Sequence, residues 1–238
     1  MPPLARSSWH AYHRATHCFG RIIVALDGRG CEVTTAITPV RLLPNQIVEA
    51  AAMMGRAAAN DPLFNYCLPD EPDRAEKVAS FMQMILRIGL VHGEVWATPG
   101  PITGIAAWLA PDHSMISQED RETTGWSSVR QVWGSDAISR FEAFLADIGE
   151  ANERASHDPH WYLMWVCVEL GHQGQGIGSG LIREVLSQAV EKGVACHLQT
   201  YTAHNVAIYE RLGFGVSQDM AMPRSGIQRW YMVRPPAS

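Results

Sequence analysis

Three glycines stand within five residues in the run Gln173-Gly174-Gln175-Gly176-Ile177-Gly178-Ser179. The first N–H groups of an α-helix have no acceptor inside the helix, and the helix dipole adds partial positive charge there. Glycines let those amides turn toward a ligand with no Cβ in the way, so such a run can hold a phosphate on its main chain. A dinucleotide fingerprint is excluded: counted from Gly174 the last position of G-x-G-x-x-G is Ser179, and from Gly176 it is Leu181. A P-loop is excluded because the turn holds no lysine. About thirty residues on, Asn205 and Tyr209 stand four apart. On a helix they share one face, an amide beside a phenol.

The elements that must position these groups are legible on either side. Tyr162-Leu163-Met164-Trp165-Val166-Cys167-Val168 has the length and the β-branched and aromatic content of a buried strand. After the turn, Ile177, Leu181, Ile182, Val185, Leu186, Ala189 and Val190 recur at helical spacing, and Gly193 stands where a helix-ending glycine belongs. The strand His197-Leu198-Gln199-Thr200 follows, then the short helix of Asn205 and Tyr209.

Gln173, Gly176 and Gly178 fit a Gln/Arg-x-x-Gly-x-Gly/Ala loop, and the second signature ends Tyr209-Glu210-Arg211-Leu212-Gly213-Phe214. Both, in this order, resemble the GNAT acyl-CoA-dependent N-acetyltransferases. The look is closest to the puromycin N-acetyltransferase type, in which a Trp-Tyr/Phe-Leu strand also leads into the loop and an Ala-Trp strand lies earlier, here Ala106-Ala107-Trp108. The resemblance is clear over residues 160–216 and weaker over 61–112.

It implies an α/β (alpha+beta) fold, with a mixed central sheet of six or seven strands flanked by helices and splayed at the acetyl-CoA site. It also implies direct attack of an amine on the acetyl thioester of acetyl-CoA within a ternary complex. Val166, Cys167 and Val168 are expected to bind the pantetheine arm through their main chain, with the Val168 N–H meeting the thioester carbonyl. Gln173, Gly174, Gln175, Gly176, Ile177, Gly178 and Ser179 would hold the pyrophosphate, and Asn205 the pantetheine amides or the local backbone. Tyr209 is the expected general acid toward the departing thiolate. Two positions depart from the pattern: Leu170 stands where many relatives have proline, and Gln199 where many have an acid. The second leaves the base open among Glu169, a histidine (His172, His197 or His204) and a water relay.

Two other classes fit the same residues. A non-catalytic acyl-CoA-binding or regulatory module needs the loop but not Tyr209, and a nucleotide-binding interaction protein would use the loop for another phosphate.

The whole chain sets bounds. Its 238 residues, 47% hydrophobic, suffice for one substantial core. A net charge of −5 argues against general binding of nucleic acid or anionic membrane, and no apolar run reaches membrane-spanning length. Cys18, Cys31, Cys67, Cys167 and Cys196 contain no CxxC pair and read as reduced thiols of a cytoplasmic protein. No metal is expected, since His10, His13, His17 and Cys18 lack a second pair of ligands. The expected partner is a small-molecule amine, with the chain a monomer or homodimer. Leu63, Phe64 and Tyr66 are candidates for core or acceptor wall, as is Trp108.

Residues 1–32 read as a poorly ordered extension, with Arg6, Arg14 and Arg21 in a pattern faintly like a transit peptide, and 33–238 as the acetyltransferase domain. Within the domain the pattern predicts strands at 33–43, 94–98, 102–109, 215–222 and 228–233. Helices are predicted at 45–60, 73–89 and 136–156, and residues 111–135 show no periodic pattern.

Overall fold

Gly104-Ile105-Ala106-Ala107-Trp108-Leu109 carries no polar side chain because both faces of this strand are covered. In the computed structural model, which describes residues 37–152 and 158–237, Ile105, Ala107 and Leu109 join one buried cluster. Ala106 and Trp108 join the other. Strand alternation sends successive side chains to opposite faces, so a centre strand between two helical layers must be apolar throughout.

The chain enters through β1 (Val40–Arg41), α1 (Ile47–Ala58), α2 (Pro62–Cys67) and α3 (Arg74–His92). A hairpin of β2 (Gly93–Ala97) and β3 (Gly104–Leu109) follows, then α4 (Gln118–Thr124), α5 (Trp126–Trp133) and α6 (Ser135–Asn152). The second half is β4 (His160–Val168), α7 (Ile177–Lys192), β5 (Ala195–Thr200), α8 (Ala203–Glu210), β6 (Gly215–Ala221) and β7 (Gln228–Arg234). Among the described residues the sheet has seven strands in the order β1-β2-β3-β4-β5-β7-β6. Only β4 and β5 run parallel. The architecture is therefore the expected alpha+beta mixed sheet flanked by helices.

One face carries α1, α2, α3, α5 and α6 around an aromatic group in which Phe81, Trp133, Phe141 and Trp165 meet. The other carries α7 and Tyr209 of α8. Close approach of α1 to α3 requires Gly55: a Cβ there would lie 2.3 Å from the Ala75 carbonyl oxygen. The buried Asp147 carboxylate pins the loop before β7 by accepting from the Arg224 and Ser225 amides and the Arg224 guanidinium.

Several expectations change. Of the predicted strand 33–43 only Val40–Arg41 is paired, and 33–36 lie outside the described residues, as do the extension 1–32 and the end of the predicted helix 136–156. Asp61-Pro62 does break a helix, but it also starts one: the Asp61 carboxylate accepts from the Leu63 amide at 2.9 Å and caps α2. The stretch 111–135 holds two helices. Ser117 and Asp120 form a capping box that starts α4, and Gly125 and Gly134, both at positive φ, bound α5. None of the described helices is long and apolar enough to cross a membrane.

Candidate active site

The site begins where two parallel strands stop pairing. β4 and β5 are in register only from His160–Leu163 against Ala195–Leu198. Beyond that, β5 stays on β7 through Thr200, and β4 stays on β3 through Val168, so the strands open into a V. Ala107 opposes Trp165 while Trp108 opposes Leu163, which makes Met164 the extra residue of a β-bulge at the fork.

Register also fixes which amides face the opening. The Glu169 amide donates to the Thr103 carbonyl at 2.9 Å. In an antiparallel pair the bonded residues alternate, so the Cys167 and Trp165 N–H groups point to β3. Those of Val166 and Val168 are left toward the open side of the V.

Past Val168 a single 3₁₀ turn leads into the glycine run. The Gln173 side-chain Nε2 donates to the Val168 carbonyl at 3.0 Å and ties the loop to the strand end. Gly174 and Gly176 both take φ of +77°, a conformation in which a side chain is strained. Gly176 is the N-cap of α7 and brings no side chain to its first turn, while its own carbonyl accepts from Gly180. The Ile177, Gly178 and Ser179 amides are thus the unpaired donors of a sixteen-residue helix. A Cβ on Gly178 would face Val166 and Val168 at 3.7 and 3.5 Å, so the glycine keeps the helix entrance close to β4. This cradle fits a pyrophosphate.

Within the V lies a cavity of about 90 Å³ bordered by Asp61, Val166, Gln199, Thr200, Asn205 and Tyr209. Val166 borders it and Val168 does not. A larger cavity of about 260 Å³ adjoins through the shared residues Met164, Trp165, Gln199 and Tyr201. Its walls are Leu63, Phe81, Phe141, Phe144, Tyr162 and further apolar side chains. Of the wall candidates, Leu63 lines this cavity, Phe64 is fully buried core and Tyr66 packs against the core. Trp108 is core on the α7 side.

Tyr209 is 7% exposed, and no hydrogen-bond partner of its hydroxyl is found among the described residues. Burial pushes its pKa well up, with Cys167 and Asp61 adding to the effect. It therefore stays protonated and is a standing donor to the cavity. Asn205 donates to the Thr200 hydroxyl at 3.3 Å, joining α8 to the end of β5.

Asp61 is the group that sequence reading missed as chemistry. Burial raises its carboxyl to about 6, against the opposing pull of the Leu63 amide. A carboxylate that changes charge near neutrality is suited to proton abstraction. The Asp-Pro pair reads as a helix breaker, and nothing local in it signals a cavity walled by β4, a strand that begins 99 residues later, at His160.

The other base candidates are committed elsewhere. Glu169 is paired with Arg56, whose hydrogen bond holds the carboxyl below its usual range. His197 is buried, bonds the Tyr231 hydroxyl at 2.7 Å and stacks on His160; burial and then His160 bring it down to about 4. Gln199 accepts from the Arg229 guanidinium at 2.8 Å. His172 and His204 border neither cavity.

Comparison with known proteins agrees with this geometry. Residues 85–214 match the Acetyltransferase (GNAT) family. An uncharacterized N-acetyltransferase of Schizosaccharomyces pombe is 26% identical over 196 residues, 79% of each chain. Among solved structures, the histone acetyltransferase HPA2 and related acetyltransferase from Corynebacterium glutamicum superposes with a TM-score of 0.64 at 22% identity, over 85% of this chain and 98% of that one. The polyamine N-acetyltransferase of Drosophila melanogaster superposes with a TM-score of 0.56 at 13% identity, over 83% and 97%. The puromycin-type likeness is not singled out by these matches. With a family match over more than half its length, a V-shaped opening between β4 and β5, and a glycine-rich helix entrance beside it, the chain belongs to the GNAT acetyltransferase family.

Proposed function

We propose that the chain transfers the acetyl group of acetyl-CoA to the primary amine of a small molecule, by direct attack within a ternary complex. One observation carries the reading: a phosphate cradle, two unpaired strand amides, a phenol and a carboxylate gather around the opening of the V. Acetyl-CoA, when bound, supplies an activated acetyl thioester. The amides of Ile177, Gly178 and Ser179 hold its pyrophosphate, and the main chain of Val166 to Val168 binds the arm as an added strand would.

Of the two outward amides, Val166 N–H is the donor assigned to the thioester oxygen, because Val166 shares a cavity with Tyr209 and Asp61. Val168 N–H then serves the arm. Asp61 takes the proton from the incoming ammonium, leaving a free amine to attack. The nitrogen bonds to the acetyl carbon, the carbon–sulfur bond breaks, and CoA leaves as the thiol, its sulfur taking the second proton of the attacking nitrogen; Tyr209 donates a hydrogen bond to that sulfur as negative charge develops there. Full transfer is unfavourable, since an ordinary phenol is already about 1.5 units less acidic than a thiol, or about 2 kcal/mol, and burial widens that gap. The buried free thiols Cys67, Cys167 and Cys196 support a reducing compartment, the cytoplasm.

The acceptor cavity narrows the amine. Aromatic and aliphatic side chains make up most of its wall, and among the described residues Arg121 is its one arginine or lysine and no carboxylate lines it. A second ammonium would be buried there unpaired, at a cost of several kcal/mol. The acceptor is accordingly a monoamine with an aromatic or apolar body, unlike the polyamine and agmatine chemistry named for the Drosophila protein. Initial rates of CoA release are expected to give kcat/KM for phenethylamine or tryptamine at least about 100-fold above spermidine or agmatine. A reversed order would overturn the acceptor assignment. No turnover with any amine, in protein that binds acetyl-CoA, would overturn transfer itself.

A further inference from the structure

Outside the acyl site, three side chains from separate elements meet next to the segment whose Ser114, Met115, Ile116 and Arg121 border the acceptor cavity. His92 closes α3, His113 lies in the turn after β3, and Asp120 stands in the first turn of α4. The two imidazoles stack at 3.8 Å with planes 11° apart. Their Nε2 atoms meet opposite oxygens of one carboxylate, His92 at 3.0 Å from Oδ1 and His113 at 2.9 Å from Oδ2. One ligand atom from each of the three residues falls within 4.8 Å of the others. The Asp120 side chain is 7% exposed and the histidines 27% and 29%, so the carboxylate is fixed while the imidazoles reach solvent.

A second observation lies beside it. A cavity of about 300 Å³ is bordered by His92, His113, Asp112 and Trp161. The Trp161 Nε1–H is buried and has no hydrogen-bond partner among the described residues.

We propose that His92, His113 and Asp120 form a divalent transition-metal site of the zinc class, whose remaining position opens toward the Asp112–Trp161 cavity. Two imidazoles and a carboxylate are the donor set of three-ligand zinc sites. N···O separations of about 3 Å lie close to the edge of a tetrahedron around a metal with bonds of about 2.0 Å. The stacked rings aim their Nε2 lone pairs in parallel, so seating one ion requires the imidazoles to swing out of the stack until both Nε2 atoms face it. The ligands come from three elements, so one ion ties the segment 114–121 to α3. Ser114, Met115, Ile116 and Arg121 of that segment line the acceptor cavity. Metal binding would fix the lid of the pocket and leave the acyl site untouched. The ligands are 21 and 7 residues apart along the chain, which is why no spacing motif announces them.

The test is calorimetry with Zn²⁺ alone and Co²⁺ alone on the full chain carrying His10→Ala, His13→Ala, His17→Ala and Cys18→Ser, which removes the competing N-terminal ligands. The same background with His92→Gln and His113→Gln is the comparison, because glutamine amides can keep hydrogen bonds to Asp120. His92→Gln alone serves if the double variant fails to fold by circular dichroism. One bound ion is expected in the first protein, at least about 10-fold weaker in the second, with a rise in Tm on adding metal only in the first. Absence of binding in the first protein, or equal binding in both, overturns the site and leaves His92 and His113 as hydrogen-bond donors to Asp120.

Discussion

Replacing Tyr209 by phenylalanine is expected to lower kcat by about 100-fold while the acetyl-CoA Kd stays within about twofold. The ring fills the same place against Phe214 and the α7 core, so the variant keeps its packing. Only the hydroxyl is lost. That hydroxyl bonds no described residue, and Tyr209 borders the cavity that Val166 also borders. Because burial keeps the phenol protonated, its contribution is a preorganised donor to developing charge. Removing one such donor from an acyl-transfer site typically costs about 3 kcal/mol. Rates with saturating acetyl-CoA and amine, beside calorimetry, separate the two effects. Unchanged turnover would make Tyr209 a core residue and favour an acyl-CoA-binding module over an enzyme.

Asp61→Asn is expected to reduce kcat/KM by about 10²–10³-fold near pH 7.5. Asparagine can still accept from the Leu63 amide, so α2 keeps its cap. The wild-type profile of kcat/KM is expected to rise with pH through about 6 and then level, as the raised Asp61 carboxyl loses its proton. The variant should lack that limb.

Stability carries the opposite sign. The folded chain holds this proton more tightly than an unfolded aspartate, whose pKa is about 3.9. The resulting stabilisation is complete below about 4 and is lost as pH rises through about 6. Urea midpoints measured at pH 4, 5, 6 and 7 should therefore lie close together at pH 4 and fall in the wild type relative to the variant as pH rises through about 6. A wild-type limb that persists in Asp61→Asn would move the base to a water held at Gln199.

How much of this was legible in the sequence depends on range. The glycine run and the Asn205–Tyr209 pair are local signals, each carried by one turn or one helix; Gly178 lies beside Val166, and Val166 borders the same cavity as Asn205 and Tyr209. The apolar β3 and β4 runs likewise announced a centre sheet buried on both sides.

What was hidden is tertiary. The bulge at Met164 shifts the β3 register by one residue, and no alternation pattern in the β4 sequence reveals it. It is the fork above that bulge which puts Val166, not Val168, beside Tyr209. Asp61 looked like punctuation because its chemistry comes from packing of α2 over the V. Helices α4 and α5 were unread because each is only two turns long, and their start and stop signals, Ser117 with Asp120 and the two positive-φ glycines, outweigh weak apolar periodicity.

The most direct test of the central claim is calorimetric titration of acetyl-CoA into the full chain and into Gly176→Asp. Aspartate is among the side chains that tolerate positive φ, so the variant can fold, and circular dichroism checks that it has. It sets a negative charge at the unpaired amides of α7. One-to-one binding in about the micromolar range is expected for the wild type, weakened by about 100-fold or more in the folded variant. Absence of binding to folded wild-type protein, or equal binding to both, would contradict the account.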